Sequence, residues 1–190
     1  MLMRSHLHGG FFMKKWMIIC VLLLVSGCSQ QKEMLPVSGV IEHSLATTIV
    51  DSSGKGIGSA ELTETATGVR IRLLLKGLEP GEKAIHIHEV GLCEKPKFTT
   101  AGGHLNPSKK QHGFDNPKGY HAGDLPNLHV NKDGQVDLEI TTPLVTLQKG
   151  KANSLLDEDG SAIVIHEKAD DYVTDPSGNS GDRIACGVIQ

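Results

Sequence analysis

Aromatic residues are scarce: one Trp, two Tyr and four Phe among 190 residues. A core must therefore be built mainly from Val, Ile, Leu and Ala. No block of like charge occurs, and the formal net charge is −3. That argues against nucleic acid or an anionic membrane surface as the main partner. No internal repeat is visible. The longest apolar run, Trp16 to Val25, is too short to span a bilayer comfortably. Glycine, by contrast, is abundant, with 22 residues in turn-like contexts. Many tight turns favour an all-β fold over a helical one. The length suits one domain of ordinary size plus a short targeting segment.

Lys14 and Lys15 precede the apolar run, which ends at Val25-Ser26-Gly27-Cys28. Basic pair, apolar run, small residues and cysteine follow one another in the order of an export signal. The segment resembles the lipobox of bacterial lipoproteins. That resemblance implies a signal peptide over 1–27 and a diacylglyceryl thioether on Cys28, the mature N-terminus. Two acyl chains give stable anchoring where one gives marginal binding. An uncleaved anchor or an ordinary signal peptide is the alternative. Met1 to Phe12 do not fit the pattern, which suits a start at Met13. Residues 28–42 then read as lipidated terminus and polar tether, and 43–190 as the domain. Processing removes Cys20. Cys93 and Cys186 remain, in a compartment that permits disulfides. One bridge between them is the simple inference; two buried thiols are the alternative.

Strand-like runs alternate with turns through the rest of the chain. They are His43 to Val50, Ile57 to Thr63, Val69 to Lys76, Ala84 to Val90, Leu128 to Val130, Gln135 to Thr141, Ala162 to His166 and Arg183 to Ile189. Val69, Ile71 and Leu73 alternate with Arg70 and Arg72, as a half-buried strand requires. Asn131-Lys132-Asp133-Gly134 is a hairpin signal. Two irregular stretches, Gly91 to Pro126 and Glu167 to Asp182, interrupt the pattern. Loops this long in a compact domain are usually functional or tied down.

The histidines cluster. His86 and His88 lie two apart in an expected strand, so both rings point to one face. His166 ends another apolar strand, where a lone histidine is more often a core residue than a ligand. His104, His112, His121 and Asp124 all fall in the first long loop. Three imidazoles and a carboxylate suit zinc, which can organise a loop that cannot organise itself. His6 and His8 precede the mature chain, and His43 and His129 read as ordinary strand residues.

Several segments together resemble the copper-zinc superoxide dismutase family. They are Ala84-Ile85-His86-Ile87-His88-Glu89, Gly102-Gly103-His104-Leu105-Asn106-Pro107, His112-Gly113, His121-Ala122-Gly123-Asp124-Leu125, His166-Glu167-Lys168-Ala169-Asp170-Asp171 and Gly178-Asn179-Ser180-Gly181-Asp182-Arg183-Ile184-Ala185-Cys186-Gly187. The resemblance runs from about His43 to the C-terminus. It implies an eight-stranded antiparallel Greek-key β-barrel or sandwich with two long functional loops. It also implies copper and zinc as cofactors, and dismutation of superoxide to oxygen and hydrogen peroxide in the cell envelope. By matching position, His86, His88, His104 and His166 resemble copper ligands. His104, His112, His121 and Asp124 resemble zinc ligands, so His104 bridges the two metals. Asp170 resembles the carboxylate that links a copper-ligand to a zinc-ligand histidine, and Arg183 the guanidinium that guides the anion. Cys93 and Cys186 match the family disulfide. Ala84-Ile85 stands where Gly-Phe is common, Leu92 precedes the cysteine where a small or acidic residue is usual, and the second loop is poor in lysine. These departures bear on electrostatic guidance, not on the metal site. The resemblance leaves the oligomeric state open, a homodimer among the arrangements. A copper or zinc carrier lipoprotein of the same fold is the other reading; such relatives are expected to lose copper ligands, and all four candidates are here.

Overall fold

A computed structural model describes residues 43–190. The signal segment, Cys28 and the tether expected from sequence lie outside the described residues. Among the described residues nine strands follow one another: β1 (Ser44–Asp51), β2 (Gly56–Thr65), β3 (Gly68–Lys76), β4 (Gly81–Lys83), β5 (Ile85–His88), β6 (Leu128–Val130), β7 (Gln135–Thr142), β8 (Ser161–His166) and β9 (Arg183–Ile189). The eight expected strands become nine because β4 is short and leaves β5 at Ala84. There the backbone turns aside to bond Lys168 and His166 of the opposite segment. One antiparallel sheet runs in the order β5-β8-β9-β1-β2-β3-β7, and β4 pairs with β6. β7 lies beside β3 although three strands separate them in the chain, a Greek-key connection. The sheet curls, because β4 continues into β5 at one end while β6 joins β7 through the turn at Asn131–Gly134 at the other.

Alternation decides the inside. In β3, Val69, Ile71, Leu73 and Leu75 are buried while Arg72, Leu74 and Lys76 are exposed. They meet Ile49, Leu62, Ile85, Ile87, Ile163, Ile165 and Ile189 in one aliphatic core. β8 is buried on both faces. Its outer face carries Ala162 and Val164, which pack with Phe98, Ala101 and Cys186 under the first long loop. A Cys93–Cys186 disulfide spans 93 residues and ties that loop to β9. Among the described residues no helix is long and apolar enough to cross a membrane.

Candidate metal centre

The first long loop docks on an unpaired edge. β5 ends the sheet, so one side of its backbone has no strand partner among the described residues. An open edge invites pairing, and the loop supplies it. Ile87 N–H donates to Gly123 O, and Leu105 N–H donates to Ile87 O, each at 2.8 Å. Gly123 is required by the close approach: a Cβ there would lie 2.1 Å from Ile87 O. The pairing places Asp124 opposite His86 and His104 opposite His88. Because Ile85 and Ile87 face the core, His86 and His88 face the loop.

All seven expected ligands are buried and fall into two groups sharing His104. His86, His88, His104 and His166 each offer one ring nitrogen within 4.8 Å of the others. Those nitrogens are His86 Nδ1, His88 Nε2, His104 Nε2 and His166 Nε2, and none has a hydrogen-bond partner among the described residues. Four orphaned nitrogens facing one point are costly unless something electrophilic joins them. The opposite nitrogens are all engaged. His88 Nδ1 lies 3.0 Å from Gly102 O, and His166 Nδ1 lies 3.1 Å from Ser180 Oγ and 3.3 Å from Gly181 O. His86 Nε2 lies 2.8 Å from Asp170 Oδ2.

In the second group, the Nδ1 atoms of His104, His112 and His121 lie 2.8, 3.0 and 3.1 Å from Asp124 Oδ1. His104 Nδ1 and His121 Nδ1 are 3.3 Å apart. A tetrahedral zinc with bonds of about 2.0–2.1 Å has ligand–ligand edges of about 3.3 Å. The four atoms therefore stand near the corners such an ion requires. Asp170 couples the groups, since its Oδ1 lies 3.0 Å from His112 Nε2 while its Oδ2 meets His86. The donor sets fit both metals: nitrogen-only for copper, and nitrogen with one carboxylate for zinc.

Charge follows geometry. Burial holds His88 well below the ordinary histidine range, and His104 and His166 at about 4 and about 3. Burial also lowers His86, against the pull of Asp170. At His112 burial is outweighed by its bonds to Asp124 and Asp170, which raise it to about 9. Asp124 is buried, yet its bonds from His104, His112 and His121 hold it well below the carboxylate range. Neutral imidazoles in the first group are the form that binds a metal.

Arg183 lines the same cavity, of about 460 Å³, with His88, His104, His166 and Gly181. Its guanidinium donates to Phe98 O and Gly102 O, both at 2.7 Å. The group is thus a fixed cation at the mouth. Sequence reasoning missed Asn127. Its side-chain amide donates to Asp170 O at 2.9 Å and accepts Asp170 N–H at 2.8 Å, clamping that carboxylate's backbone. It also missed the contact of Phe114 with Tyr120 and Tyr172, which joins the two long loops. His129 pairs with Glu82 on the surface, and His43 is exposed; both lie outside the site.

A curled antiparallel sheet carrying two histidine-rich clusters that share one imidazole defines a binuclear metalloprotein. Residues 57–189 match the family described as Copper/zinc superoxide dismutase (SODC). The chain is 53% identical over 143 residues to "Superoxide dismutase [Cu-Zn] 1" of Aquifex aeolicus, covering 75% of this chain and 85% of that one. It is 46% identical over 175 residues to "Superoxide dismutase-like protein YojM" of Bacillus subtilis, covering 87% and 89%. The crystal structure of a SOD-like protein from Bacillus subtilis superposes with a TM-score of 0.75 at 49% identity, covering 76% of this chain and 97% of that one. The chain belongs to the copper/zinc superoxide dismutase family, oxidoreductases whose cofactors are copper and zinc.

Proposed function

We propose that this protein dismutates superoxide with copper held by His86, His88, His104 and His166, and zinc held by His104, His112, His121 and Asp124. The observation that carries this is the set of four buried, partnerless ring nitrogens, one of them on an imidazole whose other nitrogen belongs to the second cluster. Bound copper supplies one-electron exchange: one superoxide leaves as oxygen, and a second, with two protons, leaves as hydrogen peroxide. Arg183 attracts the anion and orients it at the cavity mouth. When His104 Nε2 is not engaged by the metal it would take up a proton and deliver it to the departing peroxide, the second proton coming from water. Asp170 keeps the rings of His86 and His112 in register and receives their Nε2 hydrogens. The test is metal content and superoxide consumption on the purified, metal-loaded protein. A metal carrier without dismutation is the second reading, suggested by the "superoxide dismutase-like" name of the Bacillus subtilis relative. The complete set of four histidines here speaks against it.

The disulfide, together with relatives named extracellular superoxide dismutases, supports an exported protein. We further propose that residues 1–27 are a lipoprotein signal peptide, that Cys28 carries the lipid, and that the domain of residues 43–190 is held at the membrane, protecting the envelope. Cys28→Ser is then expected to release the protein from the membrane fraction. Unchanged fractionation would refute the anchor. Association as a homodimer is open to the same preparation, by sedimentation.

A further inference from the structure

Ser180 is fully buried, and its hydroxyl has one partner among the described residues, His166 Nδ1 at 3.1 Å. Gly181 O lies 3.3 Å from the same nitrogen. On the far side of the ring, Nε2 has no partner and belongs to the four-histidine group. An imidazole offering its lone pair at Nε2 carries its hydrogen at Nδ1. Nδ1–H is therefore the donor, shared between a hydroxyl and a carbonyl.

The backbone delivers that hydroxyl deliberately. Gly178, Asn179 and Gly181 have φ of 64°, 54° and 77°, so the chain curls around Ser180. Lys168 N–H donates to Ser180 O at 2.9 Å and fixes it from across the loop. Asn179 and Gly181 are exposed while Ser180 points inward. A methyl would fill the same space, and a buried hydroxyl is unfavourable without a hydrogen bond. The one bond it makes is to a ring that faces the metal cluster.

We propose that Ser180 is a positioning residue for His166: its hydroxyl accepts part of the Nδ1–H bond, fixes the rotation of the ring and strengthens Nε2 as a donor to copper. This rests on the reading of His166 as a copper ligand. An acceptor on the far nitrogen makes a ligating imidazole more basic. A more basic nitrogen donor favours divalent over monovalent copper, so the hydroxyl lowers the reduction potential.

The experiment compares Ser180→Ala with Ser161→Ala. Ser161 is equally buried, sits on the same strand as His166, and its hydroxyl has no partner among the described residues. In Ser180→Ala, affinity for divalent copper is expected to fall about three- to tenfold, less than the usual loss for an outer partner because Gly181 O remains. With monovalent affinity unchanged, that is a rise of ~30–60 mV in the one-electron potential. Zinc affinity stays unchanged, and Ser161→Ala matches the parent throughout. In the metal-free protein, the His166 Nδ1 proton resonance moves upfield in Ser180→Ala alone. An unmoved proton resonance, an unchanged potential, or an equal shift in Ser161→Ala overturns the proposal. If His166→Ala keeps its full complement of copper, the ligand reading fails instead, and the proton resonance still decides whether the hydrogen bond exists.

Discussion

Replacing Asp170 with Asn removes one charge and almost no volume, so the consequence can be worked from the bonds. The carboxylate is 1% exposed on its side chain and receives three hydrogens: from His86 Nε2 at 2.8 Å, from His112 Nε2 at 3.0 Å and from Tyr172 N–H at 2.6 Å. An amide has one accepting oxygen. Whichever way it settles, one imidazole N–H then faces an NH₂ group. Losing a charge-assisted bond at a buried site costs about 1.5–3 kcal/mol, which is roughly 10- to 100-fold in an equilibrium constant. That range is also the usual cost of deleting an outer partner of a metal-ligating histidine. A nitrogen-rich site binds divalent copper more tightly than zinc, so an equal loss empties zinc first. Competition against a chromophoric chelator measures both affinities. The expectation is a folded variant with zinc weakened by at least about tenfold and the zinc-bearing loop loosened. A folded Asp170→Asn protein with parental affinity for both metals would refute the coupling role of this carboxylate.

Three further outcomes follow from the same geometry. Arg183→Ile should keep both metals but lower the second-order rate roughly tenfold at low salt and flatten its salt dependence; stopped-flow decay of superoxide at several ionic strengths checks this, and an unchanged slope would shift the guiding role to other cations such as Lys168. Removing the Cys93–Cys186 bridge, which closes a separation of 93 residues, should cost about 4–5 kcal/mol in the chain-entropy picture, read by denaturant unfolding of the metal-free protein. The metal-free protein should also have a stability maximum near neutral pH. Below the ordinary 6.5 the unfolded chain takes up protons on His104 and His166 that the folded chain refuses until about 4 and about 3, so stability falls with acid. His112 works in the other direction: its folded form keeps a proton up to about 9, so its contribution is full below 6.5 and fades as pH rises towards 9. Thermal midpoints that climb or fall monotonically across this window would contradict the assignment.

Part of the candidate site was legible in spacing, whereas His166 and the division of the seven candidate ligands between two metals came only with the family resemblance. His86 and His88 alternate with Ile85 and Ile87, and four donors crowd one loop that has no period of its own. Strand alternation in β3 and the turn at Asn131–Gly134 were legible too, but the turn does not close the expected hairpin: β6 pairs with β4 and β7 with β3. What could not be read depends on groups distant in sequence meeting in space. Asn127 clamps a residue 43 positions away. Arg183 bonds carbonyls 81 and 85 positions away, so its role as a fixed cation rests on a loop conformation and not on its neighbours in sequence. The division of β4 from β5 has the same origin, since Ala84 turns aside to bond a partner at Lys168.

The central claim is that the two clusters hold a copper and a zinc and that the copper site consumes superoxide. The direct measurement is the decay of a superoxide pulse over protein loaded with both metals, with metal content determined on the same sample. One copper and one zinc per chain are expected, with a decay rate proportional to bound copper and abolished in His166→Ala while zinc is retained. Protein carrying both metals in that ratio but leaving the pulse to decay at the rate of buffer alone would contradict the account.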